Sequence, residues 1–296
     1  MTKKLFTVMM CALVLVSCGQ DSAKKSSRAA AADTDDMTEE IMDDDDDDDD
    51  DDKLTTKQLA YSFDEDKVEV SISVDYPTDG PDQLVNAIRE FVSETLGGTY
   101  EGSLKQGKQL VDYYGQQLKT ELMEESASQR EEIEDENYIN GFYKKYIISL
   151  AYETDRLVTY TVNEEIYLNG AHGVEYFYGM TFRKNDGRRF GHDMMRDLYT
   201  DGMYSLVKEG LRAYFNEVGG EGLGTDEELK EYIITDDNVD YLPQPRHAPF
   251  VMSDGVRFVY QPYEISFYAA GMPQFTLSLQ QIKPYLTVTA KRMLER

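Results

Sequence analysis

The chain of 296 residues has three histidines, His172, His192 and His247, and the first lies in the run "YLNGAHGVEYFYGMTF" from Tyr167 to Phe182. An imidazole so placed has three uses. It can serve metal or acid–base chemistry, contact a ligand from a loop held by a rigid sheet, or give one ring nitrogen to a backbone carbonyl and lock a turn. Gly170 and Gly173 permit backbone angles that other residues resist, as a tight turn between strands needs. Glu175 is not a helical partner of His172, because the run after Gly173 reads as strand, where residues three apart point to opposite faces. No HExxH, GxSxG or glycine-rich phosphate loop accompanies any of the histidines. His192 with Asp193 reads as the start of a helix that Asp193 caps. A second candidate runs from Tyr260 to Gly271. There Tyr260, Pro262, Tyr263, Glu264 and Tyr268 either pack at a sheet edge or form a recognition surface, since tyrosine supplies large contact area at little entropic cost. No tryptophan is present to stack on a sugar ring, and among 57 acids a glycosidase pair cannot be told from chance.

Thiol chemistry is absent by another route. The opening "MTKKLFTVMMCALVLVSCGQ" has Lys3 and Lys4, an apolar run from Leu5 to Val16, then Ser17 and Cys18. The run is too short for a permanent membrane helix and has the layout of a secretion signal. Leu15-Val16-Ser17-Cys18 resembles the lipobox of bacterial lipoproteins, which implies that residues 1–17 are removed and Cys18 carries lipid. Cys11 then leaves with the signal, and no thiol remains for a disulfide, a metal or a nucleophile.

Residues 18–52 hold the lipidated cysteine and an acidic stretch ending in ten aspartates, Asp43 to Asp52. Such a stretch buries no apolar area and repels itself, so it reads as an extended tether. The 34 residues from Gly19 to Asp52 reach about 110 Å when stretched. Of the formal charge of −27, residues 1–52 carry 16 acids against 5 bases, which leaves −16 for residues 53–296. A folded part this acidic argues against nucleic acid and anionic lipid as partners and favours basic ones.

The remaining residues are enough for one large domain or two intertwined subdomains, divided as 53–188 and 189–296. Val68, Val70, Ile72 and Val74 alternate with Glu69, Ser71 and Ser73 as in a half-buried strand, which Pro77 is expected to end. Pro81 suits a first helical turn, with Leu84, Ile88, Phe91 and Val92 on one face until Gly97 and Gly98. A second helix is expected from Ser103 as N-cap, carrying Leu104, Val111, Tyr114, Leu118 and Leu122. Strands follow through Tyr146–Leu150, Leu157–Leu168 and Val174–Arg183, with Asp186-Gly187 in a hairpin turn. Later, Tyr204, Val207, Leu211, Tyr214, Phe215 and Val218 form a helical stripe, and Thr225 with Glu228 makes a capping box. Hairpins with interspersed helices indicate an α+β fold on an antiparallel sheet, its helices packed mainly on one face.

Two stretches carry a family resemblance: "NGAHGVEYFYGMTFRKNDGRRF" followed by "DMMRDLY", and "GVRFVYQPYEISFYAAGMPQFTLSLQQIKPYL". They resemble the paired domains in the extracellular part of RsiV-type anti-sigma factors and in the non-catalytic part of PdaC-type peptidoglycan deacetylases. That family has Gly-Gly-Ala-His-Gly where this chain has Asn169 to Gly173, and a Pro-Tyr-Glu-Ile segment matched by Pro262 to Ile265. The likeness covers roughly Lys67 to Leu286. It implies an α+β module, and lysozyme, a very basic enzyme, as the partner class. This chain shows no sigma-binding segment or deacetylase domain, so sigma release and catalysis do not carry over.

The expectation is therefore a lipid-anchored binding module of the bacterial cell envelope, at the outer membrane on its periplasmic or surface side. It captures a basic, lysozyme-like protein through His172, Gly170, Gly173, Tyr260, Pro262, Tyr263, Glu264 and Tyr268, without cofactor or metal, and meets the membrane through Cys18 alone. A peptidoglycan-acting enzyme or accessory and a structural envelope protein are the alternatives.

Overall fold

The computed structural model describes residues 53–133, 138–219, 222–234 and 241–294. The expected signal, Cys18 and the acidic stretch lie outside the described residues. Among those described, no helix is long and apolar enough to cross a membrane.

The sheet begins with a hairpin. Strand β1 (Thr55–Glu65) pairs antiparallel with β2 (Val68–Asp79), joined by Asp66 and Lys67, both at positive φ. Val68, Val70, Ile72 and Val74 of β2 are buried as the alternation predicts. Pro77 does not end the strand. It pairs with Thr56, where the register of β1 shifts, and such an irregularity tolerates a residue that has no N–H to donate.

Helix α1 (Asp82–Leu96) follows and stops at Gly97 and Gly98, both left-handed. Helix α2 (Gly107–Glu132) starts later than expected. Ser103 does not cap it. Its hydroxyl accepts the Lys105 N–H at 3.4 Å and its carbonyl the Gln106 N–H at 2.9 Å, which closes a separate turn ahead of the helix.

Strand β3 (Phe142–Glu153) returns parallel to β2, because the two helices carry the chain back to the end where β2 began. Strands β4 (Leu157–Leu168), β5 (Val174–Arg183) and β6 (Arg189–Phe190) then add in order, all antiparallel. One face of this six-stranded sheet lies under α1 and α2. Phe142, Tyr146, Ile148, Val158, Tyr160, Val162 and Phe182 point there, and Phe182 meets Phe91 edge-on at 5.6 Å.

The opposite face, over β4 and β5, receives the rest of the chain. Helices α3 (Asp201–Glu217) and α4 (Asp226–Lys230) precede a three-stranded antiparallel sheet of β7 (Phe250–Met252), β8 (Gly255–Val259) and β9 (Gln274–Leu277), with α5 (Leu279–Ile282) and α6 (Val288–Leu294) last. Helix α3 packs on β9 through a second cluster that includes Met203, Val207, Leu211, Phe215 and Phe275. Thr225 and Glu228 form the expected capping box at α4. Asp193 does not cap a helix. It lies in a short 3-10 turn, His192–Met194, and accepts from Arg188 Nη2 at 3.1 Å.

The two layers meet through buried hydroxyls. Thr159 donates to the Val251 carbonyl at 2.7 Å, the Val251 N–H donates to Thr181 Oγ1 at 2.8 Å, and the two threonine oxygens lie 2.8 Å apart. With the Thr159 hydrogen committed, Thr181 donates to Thr159 and the ring of bonds closes. Thr181→Val keeps the shape but leaves the Val251 N–H without an acceptor, at a cost of about 1–3 kcal/mol. Urea denaturation should show that loss, and an unmoved midpoint would refute the account.

Candidate functional site

The turn between β4 and β5 does not use its glycines as expected. The left-handed residue is Asn169 (φ 57°), whereas neither Gly170 nor Gly173 has positive φ. Asn169 fixes the turn by accepting the Asn140 N–H on Oδ1 at 2.6 Å, and the Tyr167 hydroxyl donates to the Gly170 carbonyl at 3.1 Å. Gly173 is needed for space. A Cβ there would stand 2.7 Å from the Tyr143 hydroxyl and 3.1 Å from the Ile166 carbonyl.

His172 projects from this turn and is exposed. Its Nδ1 lies 3.0 Å from the Gly173 carbonyl, which also accepts the Tyr268 hydroxyl at 2.7 Å. Because a carbonyl only accepts, Nδ1 carries the proton and Nε2 is left to accept from the Tyr263 hydroxyl, 3.4 Å away. The imidazole lies flat on the Tyr268 ring, centroids 3.8 Å apart at 18°, and Tyr263 stacks on Tyr268 at 5.6 Å and 27°. The two segments singled out in the sequence thus meet in one aromatic stack.

Within the second segment the side chains divide. Tyr260 is fully buried, its N–H on the Pro273 carbonyl and its hydroxyl on the Pro243 carbonyl, each at 2.8 Å. Burial holds its phenol well above the ordinary range. Pro262 and Glu264 are half-buried. The Glu264 carboxylate accepts the Arg246 N–H at 2.6 Å and the Gln261 N–H at 2.7 Å, so it braces the loop from within. Tyr263 is 53% exposed, Phe267 40% exposed and Tyr268 half-buried; of these, Tyr263 and Tyr268 share the stack with His172.

Gln261, which carries no sequence signal, anchors the segment to the sheet. Its Nε2 donates to the Phe177 carbonyl at 2.8 Å while its Oε1 accepts the Phe177 N–H at 3.1 Å, as a neighbouring strand would. Ile265 accepts the Ile234 N–H at 3.1 Å, and the Ala270 carbonyl takes the Tyr214 hydroxyl at 2.7 Å. The loop is held along its length, yet Tyr263 is fixed at φ 62°, a region bulky side chains avoid.

His247 stacks on Tyr178 at 4.2 Å and 11°, a contact the sequence does not announce. Its edge stays exposed, but loss of water from the covered part holds its pKa below the usual imidazole value; Glu264 opposes this and His192 reinforces it. Among the described residues, no three His, Cys, Asp or Glu gather to hold a metal ion. The Glu175 carboxylate accepts from Asn163 at 2.9 Å and takes no part in the ring stack. The arrangement offers flat aromatic faces, one imidazole edge and two phenol hydroxyls, which suits stacking and hydrogen bonding to a partner.

The protein family of unknown function DUF3298 matches residues 193–280, a span that holds the Tyr260–Gly271 segment but not the His172 turn. Among solved structures, a DUF3298 family member from Bacteroides fragilis superimposes with a TM-score of 0.60 at 18% identity, covering 82% of this chain and 100% of that one. A DUF3298 family protein from Pseudomonas aeruginosa gives a TM-score of 0.53 at 15% identity, covering 81% of this chain and 97% of that one. No curated protein matches the chain. At these identities the likeness is one of fold, and residues 193–280 form a DUF3298 family domain.

Proposed function

We propose that the protein is a lipid-anchored binding module of the bacterial envelope, and that the rings of His172, Tyr263 and Tyr268 form the surface that captures a basic protein. The observation that carries this reading is Tyr263, a bulky residue held at φ 62°, exposed, and stacked over a ring from the same loop. Such a conformation costs on the order of 1–3 kcal/mol and persists where the surroundings enforce it, typically at sites of recognition. Aromatic anchors on a rigid loop are what protein interfaces use, since little side-chain freedom is lost on binding.

Charge selects the class of partner. Residues 53–296 carry −16, so a cationic protein is attracted from a distance and an anionic one repelled. The resemblance to RsiV-type extracellular domains adds a lysozyme-like hydrolase as the candidate partner. Cys18 bears the lipid in this reading, at the outer membrane, and the acidic tether sets the reach.

Calorimetric titration with c-type lysozyme tests the partner. Heat at low salt that fades as salt is raised is the expected result, because screening shortens the attraction to about 8 Å at physiological ionic strength. Silence at low salt across micromolar concentrations removes lysozyme as the partner.

A further inference from the structure

At the other end of the sheet from the His172 turn, where β1 begins and β2 ends, a cavity of about 360 Å³ opens between the sheet and the start of α2. Its floor is apolar, made by Leu59 and Tyr76. Its walls are cationic: Lys57 from β1, Arg89 from α1, Lys105 ahead of α2 and Lys108 in its first turn. No aspartate or glutamate is among the lining residues, in a protein whose residues 53–296 hold 41 acids against 25 bases. Charge scattered evenly at that ratio would place acids among the lining residues.

The cations are differently committed. Lys108 is bridged to Asp112. Lys57 and Lys105 make no ion pair to a described residue, and both are exposed. Arg89 is only 8% exposed, and the Pro77 carbonyl accepts from both its Nε (3.2 Å) and its Nη2 (3.0 Å). Nη1 makes no hydrogen bond to any described residue, so a buried guanidinium lines the cavity with a donor to spare. Nη1 is not sealed from solvent, so it is open to a ligand that enters the cavity. The start of α2 is also uncapped by any side chain, and Gly107, Lys108 and Gln109 line the same cavity. Their N–H groups precede the first intrahelical bond, in which the Leu110 N–H meets the Gln106 carbonyl.

We infer that this cavity binds a small organic anion, a phosphate monoester or a carboxylate, with its charged end among Arg89, Lys57, Lys105 and the first turn of α2 and its apolar part on Leu59 and Tyr76. An anion takes up the spare Arg89 donor and the helix N–H groups together. The volume holds a small molecule and no more, and the overall charge of the fold repels larger polyanions. This site stands apart from the aromatic stack and does not depend on what the stack captures.

The test uses the full chain, labelled with ¹⁵N, and two probes: inorganic phosphate, then phenyl phosphate. Shifts at the Gly107 and Gln109 amides that saturate by about 20 mM phosphate, the range of a weak single site, are the expected result. Phenyl phosphate should bind several-fold tighter through its ring. The double variant Lys57→Ala/Lys105→Ala changes exposed side chains only, so the fold stays intact, and affinity should drop about tenfold or more, the worth of lost charge-assisted bonds. No shift with either probe overturns the inference. So does a shift whose midpoint the double variant leaves unchanged, since the anion would then sit elsewhere.

Discussion

Gly255→Ala should destabilise the protein by about 3–5 kcal/mol, a large share of the total for a fold of ordinary stability. Two costs combine at this residue. Its φ of 144° lies where a residue with Cβ is strained, worth on the order of 1–3 kcal/mol. The added methyl would also stand 2.2 Å from the Leu277 carbonyl oxygen and 2.9 Å from its carbon. Those are backbone atoms of β9, paired in register with Val256, so relief requires parting two strands rather than turning a side chain. Urea denaturation monitored by circular dichroism measures the change. A variant whose midpoint coincides with the parent's would mean the hairpin of β7 and β8 yields more easily than its pairing implies.

Tyr263→Asn should separate stability from capture. Asparagine enters the left-handed region more readily than tyrosine, so the substitution should leave folding stability unchanged or raise it by about 1 kcal/mol. It also removes the exposed ring of the stack. If that ring is an anchor of the interface, affinity for the basic partner should fall by about 2 kcal/mol, roughly thirtyfold. Parallel calorimetry and denaturation read both quantities. Full affinity in the variant would relieve Tyr263 of any role in recognition, and a stability loss as large as the binding loss would mark it as structural. The loop makes the separation feasible, because Gln261 and Glu264 hold it without using the Tyr263 side chain.

Much of the architecture is legible in the alternation of apolar residues. The buried row of β2 and the stripes of α1 and α3 are set by burial on one face, which periodicity reports directly, whereas β4 and β5 are covered on both faces and alternate less cleanly. Strand β1 is harder to read. As an edge strand it offers only Leu59, Tyr61 and Phe63 to the core, among residues that face solvent. Pro77, Ser103 and Asp193 mislead because each residue's usual role is replaced by another local arrangement. Pro77 is accommodated by a register shift, Ser103 by a turn of its own, and Asp193 by Arg188.

Both halves of the aromatic site are visible in the sequence, but their union is not. Tyr268 and Gly173 are 95 positions apart, and only the sheet brings the hydroxyl of one to the carbonyl of the other. Local chemistry cannot tell which tyrosine is buried, either. Tyr260 and Tyr263 share a segment, yet one is sealed inside and the other presented, because the backbone reverses its sense at Tyr263. The left-handed turn residue of the first segment, Asn169, is eclipsed in the sequence by the glycines beside it.

The parallel seam in the large sheet bears on how the chain is born. On its β3 side Val68 pairs with Phe142, 74 positions downstream, and both intervening helices are made before that edge closes. Until then the first hairpin waits with a greasy underside and an unsatisfied rim, an aggregation hazard during synthesis. A nascent chain stalled shortly before residue 142 should be the form most avidly held by chaperones.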